Sequence, residues 1–282
     1  MKKISEDSFK FPLFLVGYLI FIAIGASVFC AIEVPIAYLT TKKFAAMKNN
    51  FLYEHPSVSE QALDELIVEV VKASKKGISV TINGTNEHNW DFTQSLFFTS
   101  CVVTTIGYGQ ITPLSRSGKI FCILYAIVGI PLTLVLLSGL VERFLVPAMW
   151  ILQWLNSKLQ RFYQPFSIRL LHLIIIVTFL VILTIFLPAI IFYYLEEGWT
   201  YLDAIYYCFI SLTTIGLGDY IPGYSNELRG LYLSLYKMVT TVYLFFGITF
   251  MMLTLAVFYD IPQLNLGLLF SLSRDVFPRT RN

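Results

Sequence analysis

Four long apolar runs without a formal charge constrain this chain more than any other feature of its sequence. They cover residues 11–32, 120–141, 173–194 and 238–259. A helix needs about 20 predominantly apolar residues to cross a bilayer, and each run meets that length. Charged residues make up only 13% of the chain, whereas soluble domains carry about 25%. The sequence therefore predicts an all-α membrane protein with four transmembrane helices.

Basic residues beside the apolar runs predict the orientation of the chain. Lys and Arg precede the first run, separate the second from the third and follow the fourth. Because short cytoplasmic segments are enriched in these residues, we expect both termini to lie in the cytoplasm. The first run is longer than the ~7–15 apolar residues of a signal peptide, so we expect it to be retained as an anchor.

The two halves of the sequence repeat each other in the same direction. A shift of 109 residues places Trp90 on Trp199 and Thr104–Gly107 on Thr213–Gly216. Each half consists of an apolar run, an outer segment, a short apolar stretch, a Thr-Thr-Ile-Gly-x-Gly motif and a second apolar run. The repeat predicts that each chain carries two copies of the same functional element.

The short apolar stretches, Asp91–Val103 and Thr200–Leu212, cannot cross a membrane. Asp and Thr are favoured at helix N-caps, so we expect a short helix to begin after Asp91 and another after Thr200. A helix that enters the membrane without crossing must return as non-helical backbone. Such backbone is tolerated only where it is buried in protein or lines water. The sequence therefore predicts two re-entrant loops that line a water-filled path.

The returning segments place Gly where a row of stacked carbonyl groups requires it. An ion stripped of water needs oxygen ligands, and uncharged carbonyls allow it to leave again. Carbonyls that all face one side require backbone conformations that Gly adopts without strain, and a Thr hydroxyl can add a further ring of oxygens. We expect the two Ile side chains and the Tyr to point away from the ion path. The predicted selectivity filter comprises Thr105, Ile106, Gly107, Tyr108, Gly109, Thr214, Ile215, Gly216, Leu217 and Gly218.

These motifs resemble the potassium-channel signature TVGYG, and two of them in a four-span chain resemble the two-pore-domain potassium channels. The similarity is greatest to the TWIK subgroup. The segments that carry it are Glu54-His55-Pro56, Ser59-Glu60-Gln61, Asn89-Trp90-Asp91-Phe92, Gly129-Ile130-Pro131 and Gly216-Leu217-Gly218-Asp219-Tyr220.

The resemblance implies a homodimer, since a potassium filter takes four loops and each chain supplies two. It implies a leak channel that conducts potassium and sets the resting potential. The expected location is the plasma membrane, and an endosomal pool is an alternative left open. It implies no enzymatic activity and no cofactor beyond the permeant ion. The implied potassium ligands are Thr105, Ile106, Gly107, Tyr108, Thr214, Ile215, Gly216 and Leu217.

Together these features divide the chain into segments. The transmembrane segments are 11–33, 117–144, 169–195 and 229–259, and the pore helices with their filters are 90–113 and 200–222. The expected cytoplasmic segments are 1–10, 145–168 and 260–282. The remaining segment, 34–89, is expected to form an extracellular helical cap.

An apolar stripe at helical spacing runs through the expected cap, at Leu63, Leu66, Ile67, Val70 and Val71. Ser57 and Glu60 suit a capping box at the start of this helix. Many relatives carry a cysteine in the cap that bridges the subunits, but Ser57 occupies the matching position here, so we expect no intersubunit disulfide. Asn83 begins an Asn-Gly-Thr sequon and is a predicted N-glycosylation site.

Several residues around the filter have more specific expected roles. Asp219 follows the second filter, as in the family, and Gln110 holds the corresponding place after the first, where several relatives carry a titratable residue. Gly129 and Pro131 are expected to form a hinge in the second span. Leu134 and Met252 are candidates for a hydrophobic gate that closes by dewetting; for each, a plain lipid or core contact remains the alternative.

Three other functions compete with a homodimeric leak channel. The chain could be a non-conducting subunit that regulates other potassium channels, and a heterodimer with related subunits also stays open. A potassium transporter with pore loops needs four such loops in one chain, and this chain has two. A membrane enzyme needs ionisable groups within its spans, and His172 at the edge of one is nearly the only candidate.

Overall fold

A computed structural model describes residues 2–75, 90–223 and 231–261, and it confirms the all-α fold within these ranges. The Asn83 sequon and the cytoplasmic tail beyond residue 261 lie outside the described residues. The helices are α1 (Lys2–Glu54), α2 (Glu60–Lys75), α3 (Phe92–Val103), α4 (Arg116–Leu159), α5 (Pro165–Val181), a π-helical segment (Ile182–Phe186), α6 (Leu187–Leu195), α7 (Tyr201–Leu212) and α8 (Leu231–Tyr259).

Within the described ranges, four helical segments are long and apolar enough to cross a membrane, which confirms the four predicted spans. They are Pro12–Glu54, Arg116–Leu159, Pro165–Leu195 and Leu231–Tyr259. Two shorter apolar helices, α3 and α7, precede the second and fourth of them. The chain is therefore a multi-pass membrane protein.

The chain divides into two compact units, of which one contains α1 and most of α2. Helix α1 does not end with its apolar run but continues to Glu54. The Ser59 hydroxyl accepts a hydrogen bond from the Ala62 N–H (3.2 Å) and so caps α2. The expected capping box at Ser57 is therefore wrong by two residues, because the chain makes a turn through residues 56–58 before the helix starts.

A charged contact fastens the start of α2 to the end of α1. The Lys48 ammonium lies 2.7 Å from a carboxylate oxygen of Asp64 and 3.0 Å from one of Glu60. The turn between the two helices is therefore closed by an ion pair.

The second unit contains α3 to α8 and packs around the two short helices. Its core includes Phe97 and Cys101 of α3, Tyr207 and Leu212 of α7, and Leu244 of α8. All are less than 9% exposed, so each short helix packs one side into this core, although its 12 residues are too few to cross a bilayer.

Helix α5 returns along α4 after a short link at residues 160–164. His172 of α5 is buried, and its Nε2 lies 2.8 Å from the carbonyl oxygen of Ala148 in α4. A carbonyl oxygen can only accept, so Nε2 carries the proton in this bond. His172 is thus a packed connection between two spans.

A π-helical segment interrupts the third span just before Pro188. Proline has no N–H to donate to the residue four positions earlier, which is Thr184. The carbonyl oxygen of Thr184 instead accepts a hydrogen bond from the Tyr243 hydroxyl of α8 (2.8 Å). The bond satisfies a backbone group inside the apolar core and fixes the third span against the fourth.

Candidate functional site

The two short helices begin where the sequence predicts. The Asp91 carboxylate accepts a hydrogen bond from the Gln94 N–H (2.6 Å) at the start of α3. At the start of α7, Thr200 and Asp203 form a reciprocal capping box. Hydrogen bonds from the Thr200 hydroxyl and N–H, together with the Tyr220 hydroxyl, lower the pKa of Asp203. Both helices are therefore fixed at the end where the chain enters them.

The chain leaves both short helices through the same turn. The N–H of Gly107 reaches back to the Cys101 carbonyl (3.2 Å), and that of Gly216 reaches back to the Ile210 carbonyl (3.1 Å). These donors and acceptors are equivalent under the 109-residue shift. The sequence repeat is thus also a repeat of backbone geometry.

Alternate residues of each loop adopt left-handed backbone conformations. The φ angles are 62°, 60° and 78° at Thr105, Gly107 and Gly109, and the equivalent residues of the second loop have φ angles of 58°, 56° and 79°. The Gly positions were expected, but the two Thr were not. A β-branched residue at positive φ is an outlier, and such strain costs about 1–3 kcal/mol. Both loops therefore hold a conformation that the unconstrained chain would not choose.

The two loops of one chain lie side by side. A Cβ atom on Gly216 would overlap the carbonyl oxygen of Ile106, and one on Gly218 would overlap that of Tyr108. Gln110 bridges the loops, because its side-chain amide donates a hydrogen bond to the Gly218 carbonyl (3.1 Å). The two filter loops are thus so close together that a side chain at Gly216 or Gly218 would overlap the backbone of the first loop.

The first loop is supported from behind by the second half of the chain. Ile106 and Tyr108 are buried, at 3% and 8% exposure. The Tyr108 hydroxyl donates to the Ser211 hydroxyl of α7 (2.7 Å), and its ring stacks on Phe97 with centroids 6.0 Å apart. The first filter is therefore packed against both short helices of its own chain.

One glycine in α4 and one in α8 allow close packing against the short helices. A Cβ on Gly129 of α4 would come within 2.6 Å of a Val103 methyl at the end of α3. A Cβ on Gly247 of α8 would overlap a Leu212 methyl at the end of α7. Val103 and Leu212 are equivalent in the repeat, so α4 and α8 each approach the C-terminal end of a short helix through a glycine.

The remaining predicted residues differ in their surroundings. Leu134 is 50% exposed on α4, close to Pro131, and Met252 packs half-buried against the core. Burial, and then the neighbouring Asp219 carboxylate, raise the pKa of the Tyr206 phenol. Gln110 and Asp219, though equivalent in sequence, therefore make different contacts.

A buried carboxylate behind the second filter was missed from the sequence. Glu196 is 3% exposed at the end of α6. It accepts hydrogen bonds from the Gly223 N–H (2.7 Å) and the Tyr236 hydroxyl (2.6 Å). No local feature of the sequence signals this burial, because both hydrogen-bond donors lie far along the chain.

Comparison with known proteins agrees with this geometry. A family model described as "Ion channel" matches residues 66–145 and 180–263. Human potassium channel subfamily K member 1 is 38% identical over 268 residues, which cover 92% of this chain and 76% of the human protein. Rat potassium channel subfamily K member 2 is 38% identical over 250 residues, covering 88% of this chain and 58% of the rat protein. The chain therefore belongs to the two-pore-domain potassium channels, in their TWIK-like subgroup.

Proposed function

We propose that the chain forms a potassium-selective leak channel and supplies two of the four filter loops of its pore. The observation that carries the proposal is the pair of loops with matching backbone, held side by side with alternating left-handed residues. Carbonyl oxygens of both loops, with the Thr hydroxyls, replace the water around a potassium ion. The ligands are the residues Thr105–Tyr108 and Thr214–Leu217.

A second copy of the chain completes the ring. Within the part of the chain that the structure describes, a Cβ on Gly107 would meet no atom within 4 Å, whereas one on Gly216 would overlap backbone. Ile215 and Leu217 are 51% and 60% exposed, unlike their buried equivalents in the first loop. One side of each loop is therefore covered within the chain and the other is open. A homodimer covers both.

The cap contributes a second contact between the copies. Leu66, Val70 and Val71 on the apolar stripe of α2 are 61%, 36% and 45% exposed, and pairing with the partner's stripe covers them. The described cysteines are free and none lies in α2. The dimer then depends on apolar packing, with the cap and Asn83 outside the plasma membrane and both termini in the cytoplasm.

Whole-cell current from the chain expressed alone tests the function. When external potassium replaces sodium, the reversal potential is expected to move by about 59 mV per tenfold change, as for a single monovalent ion. A reversal potential that follows sodium contradicts potassium selectivity. Absence of current from dimers shown to be at the cell surface supports the alternative of a regulatory subunit.

The current is expected to be insensitive to external acidification. Gln110 does not titrate, and the lowered pKa of Asp203 keeps that carboxylate ionised. A carboxylate with a depressed pKa contributes stability above its unfolded pKa of about 3.9, which is lost only as the pH falls through the lower folded value. Current measured between about pH 8 and pH 5.5 should therefore stay constant. In the variant Gln110→His, it should change near pH 6.5, the usual pKa of histidine.

The hydrophobic gate is tested by a polar substitution below the filter. If Leu134 narrows the path and closes it by dewetting, Leu134→Asn should raise the current several-fold at unchanged surface expression. The matched control is Val135→Asn, because Val135 is adjacent and 72% exposed. Equal currents from both variants would assign Leu134 to a lipid or core contact, and Met252→Asn then tests the other candidate.

A further inference from the structure

The backs of the two filter loops are packed differently within one chain, although their sequences repeat. Tyr108 of the first loop is 8% exposed, and its equivalent Leu217 in the second loop is 60% exposed. The difference does not come from the loops themselves, since their backbones match. It comes from what each side chain can reach in a single chain.

The Tyr108 hydroxyl contacts two side chains of the second short helix, α7. It donates to Ser211 (2.7 Å) and lies 3.4 Å from the Tyr207 hydroxyl. Tyr207 and Ser211 are 1% and 0% exposed. The contact is therefore polar at its tip, fully buried, and made between the first loop and the second short helix.

The repeat identifies the equivalent pair for Leu217. A shift of 109 residues places Tyr207 on Phe98 and Ser211 on Val102. Both are only half-buried, and both line a cavity of about 470 Å³ beside α3. Every polar member of the first contact is thus replaced by an apolar one in the second: Leu for Tyr, Phe for Tyr and Val for Ser.

We propose that Leu217 of one subunit packs on Phe98 and Val102 of the partner subunit and positions the second filter loop through that contact. The proposal rests on the dimeric pore proposed above. In the four-loop ring, a side chain of each filter loop then packs on the next short helix, as Tyr108 packs on α7 within one chain. Polar contacts within each chain then alternate around the ring with apolar contacts between chains. The second filter loop is therefore supported only in the dimer.

The proposed contact between Leu217 and Val102 can be tested by exchanging apolar for polar side chains at both positions. Leu217→Tyr should place a hydroxyl in an apolar pocket and reduce the current about tenfold or more, since an unbonded buried hydroxyl is costly. Adding Val102→Ser should restore most of the current and the potassium-dependent reversal potential. The matched control is Val103→Ser, because Val103 is the same residue type but faces Gly129 of α4, and it should restore nothing. Equal rescue by both Ser variants, or by neither, overturns the proposal.

Cross-linking distinguishes a failure of this contact from a failure of the channel. With Leu217→Cys and Val102→Cys in one chain, a short thiol-specific cross-linker applied to the assembled protein should give a covalent dimer. The pair Tyr108→Cys and Ser211→Cys should cross-link only within the chain. Each single variant sets the background from the native cysteines. If wild-type dimers conduct potassium but the first pair gives no covalent dimer above that background, the contact is wrong while the proposed function stands.

Discussion

Gly216→Ala is expected to abolish potassium current. Gly216 has a φ of 56°, which disfavours any side chain, and its Cβ would overlap the carbonyl oxygen of Ile106. That oxygen is a proposed ion ligand, so the substitution acts on both loops at once. Whole-cell current normalised to surface protein should fall at least about a hundredfold, since the clash with backbone and the left-handed strain add.

Gly139→Ala is the matched control for this substitution. Gly139 lies on α4, and a Cβ there would meet no atom of the described chain within 4 Å. Alanine is also a better helix former than glycine by about 1 kcal/mol. Its current should equal that of the wild type. Substantial current through Gly216→Ala, with Gly139→Ala unchanged, would show that the loops separate in the assembled pore.

Gly247→Ala is expected to destabilise the folded protein by about 1–3 kcal/mol, the usual cost of overpacking a core. The added methyl would overlap the Leu212 side chain, which is 1% exposed and cannot move into free space. Thermal unfolding of the detergent-solubilised protein, followed by fluorescence-detected gel filtration, should show a clear loss of Tm. Selectivity should suffer as well, because Leu212 ends the helix that supports the second filter.

Alanine at the glycine that contacts the other short helix should have a smaller effect. Gly129→Ala meets Val103, which is half-buried rather than fully buried and can shift. A loss of Tm for Gly129→Ala as large as that for Gly247→Ala would contradict this ranking. It would mean that the partner subunit closes the space around Val103.

Much of this fold is readable from the sequence because the membrane leaves few alternatives. Apolar runs identify the spans, and Asp91 and Thr200 identify the starts of the short helices, since caps and span lengths are local properties. The glycines at the third and fifth filter positions follow from the need for carbonyls on one side. The left-handed Thr105 and Thr214 do not, because only packing around the whole loop makes such strain tolerable.

Features that join distant segments were not readable. The burial of Glu196 depends on Gly223 and Tyr236, which lie 27 and 40 residues further along the chain. Gly247 contacts Leu212 on another element, 35 residues earlier in the chain. No local pattern specifies which glycine faces a buried neighbour, and a second copy of the chain is needed before the exposed Leu217 can be understood.

The bond from Tyr243 to the Thr184 carbonyl has a mechanical consequence for the last helix. Tyr243 and Tyr236, which bonds Glu196, are seven residues apart and so lie on the same face of α8. Both bonds run to the third span or to the residue that follows it, Thr184 and Glu196. Two anchors on one face therefore couple this half of α8 to the third span, and the two segments are expected to move as one rigid body.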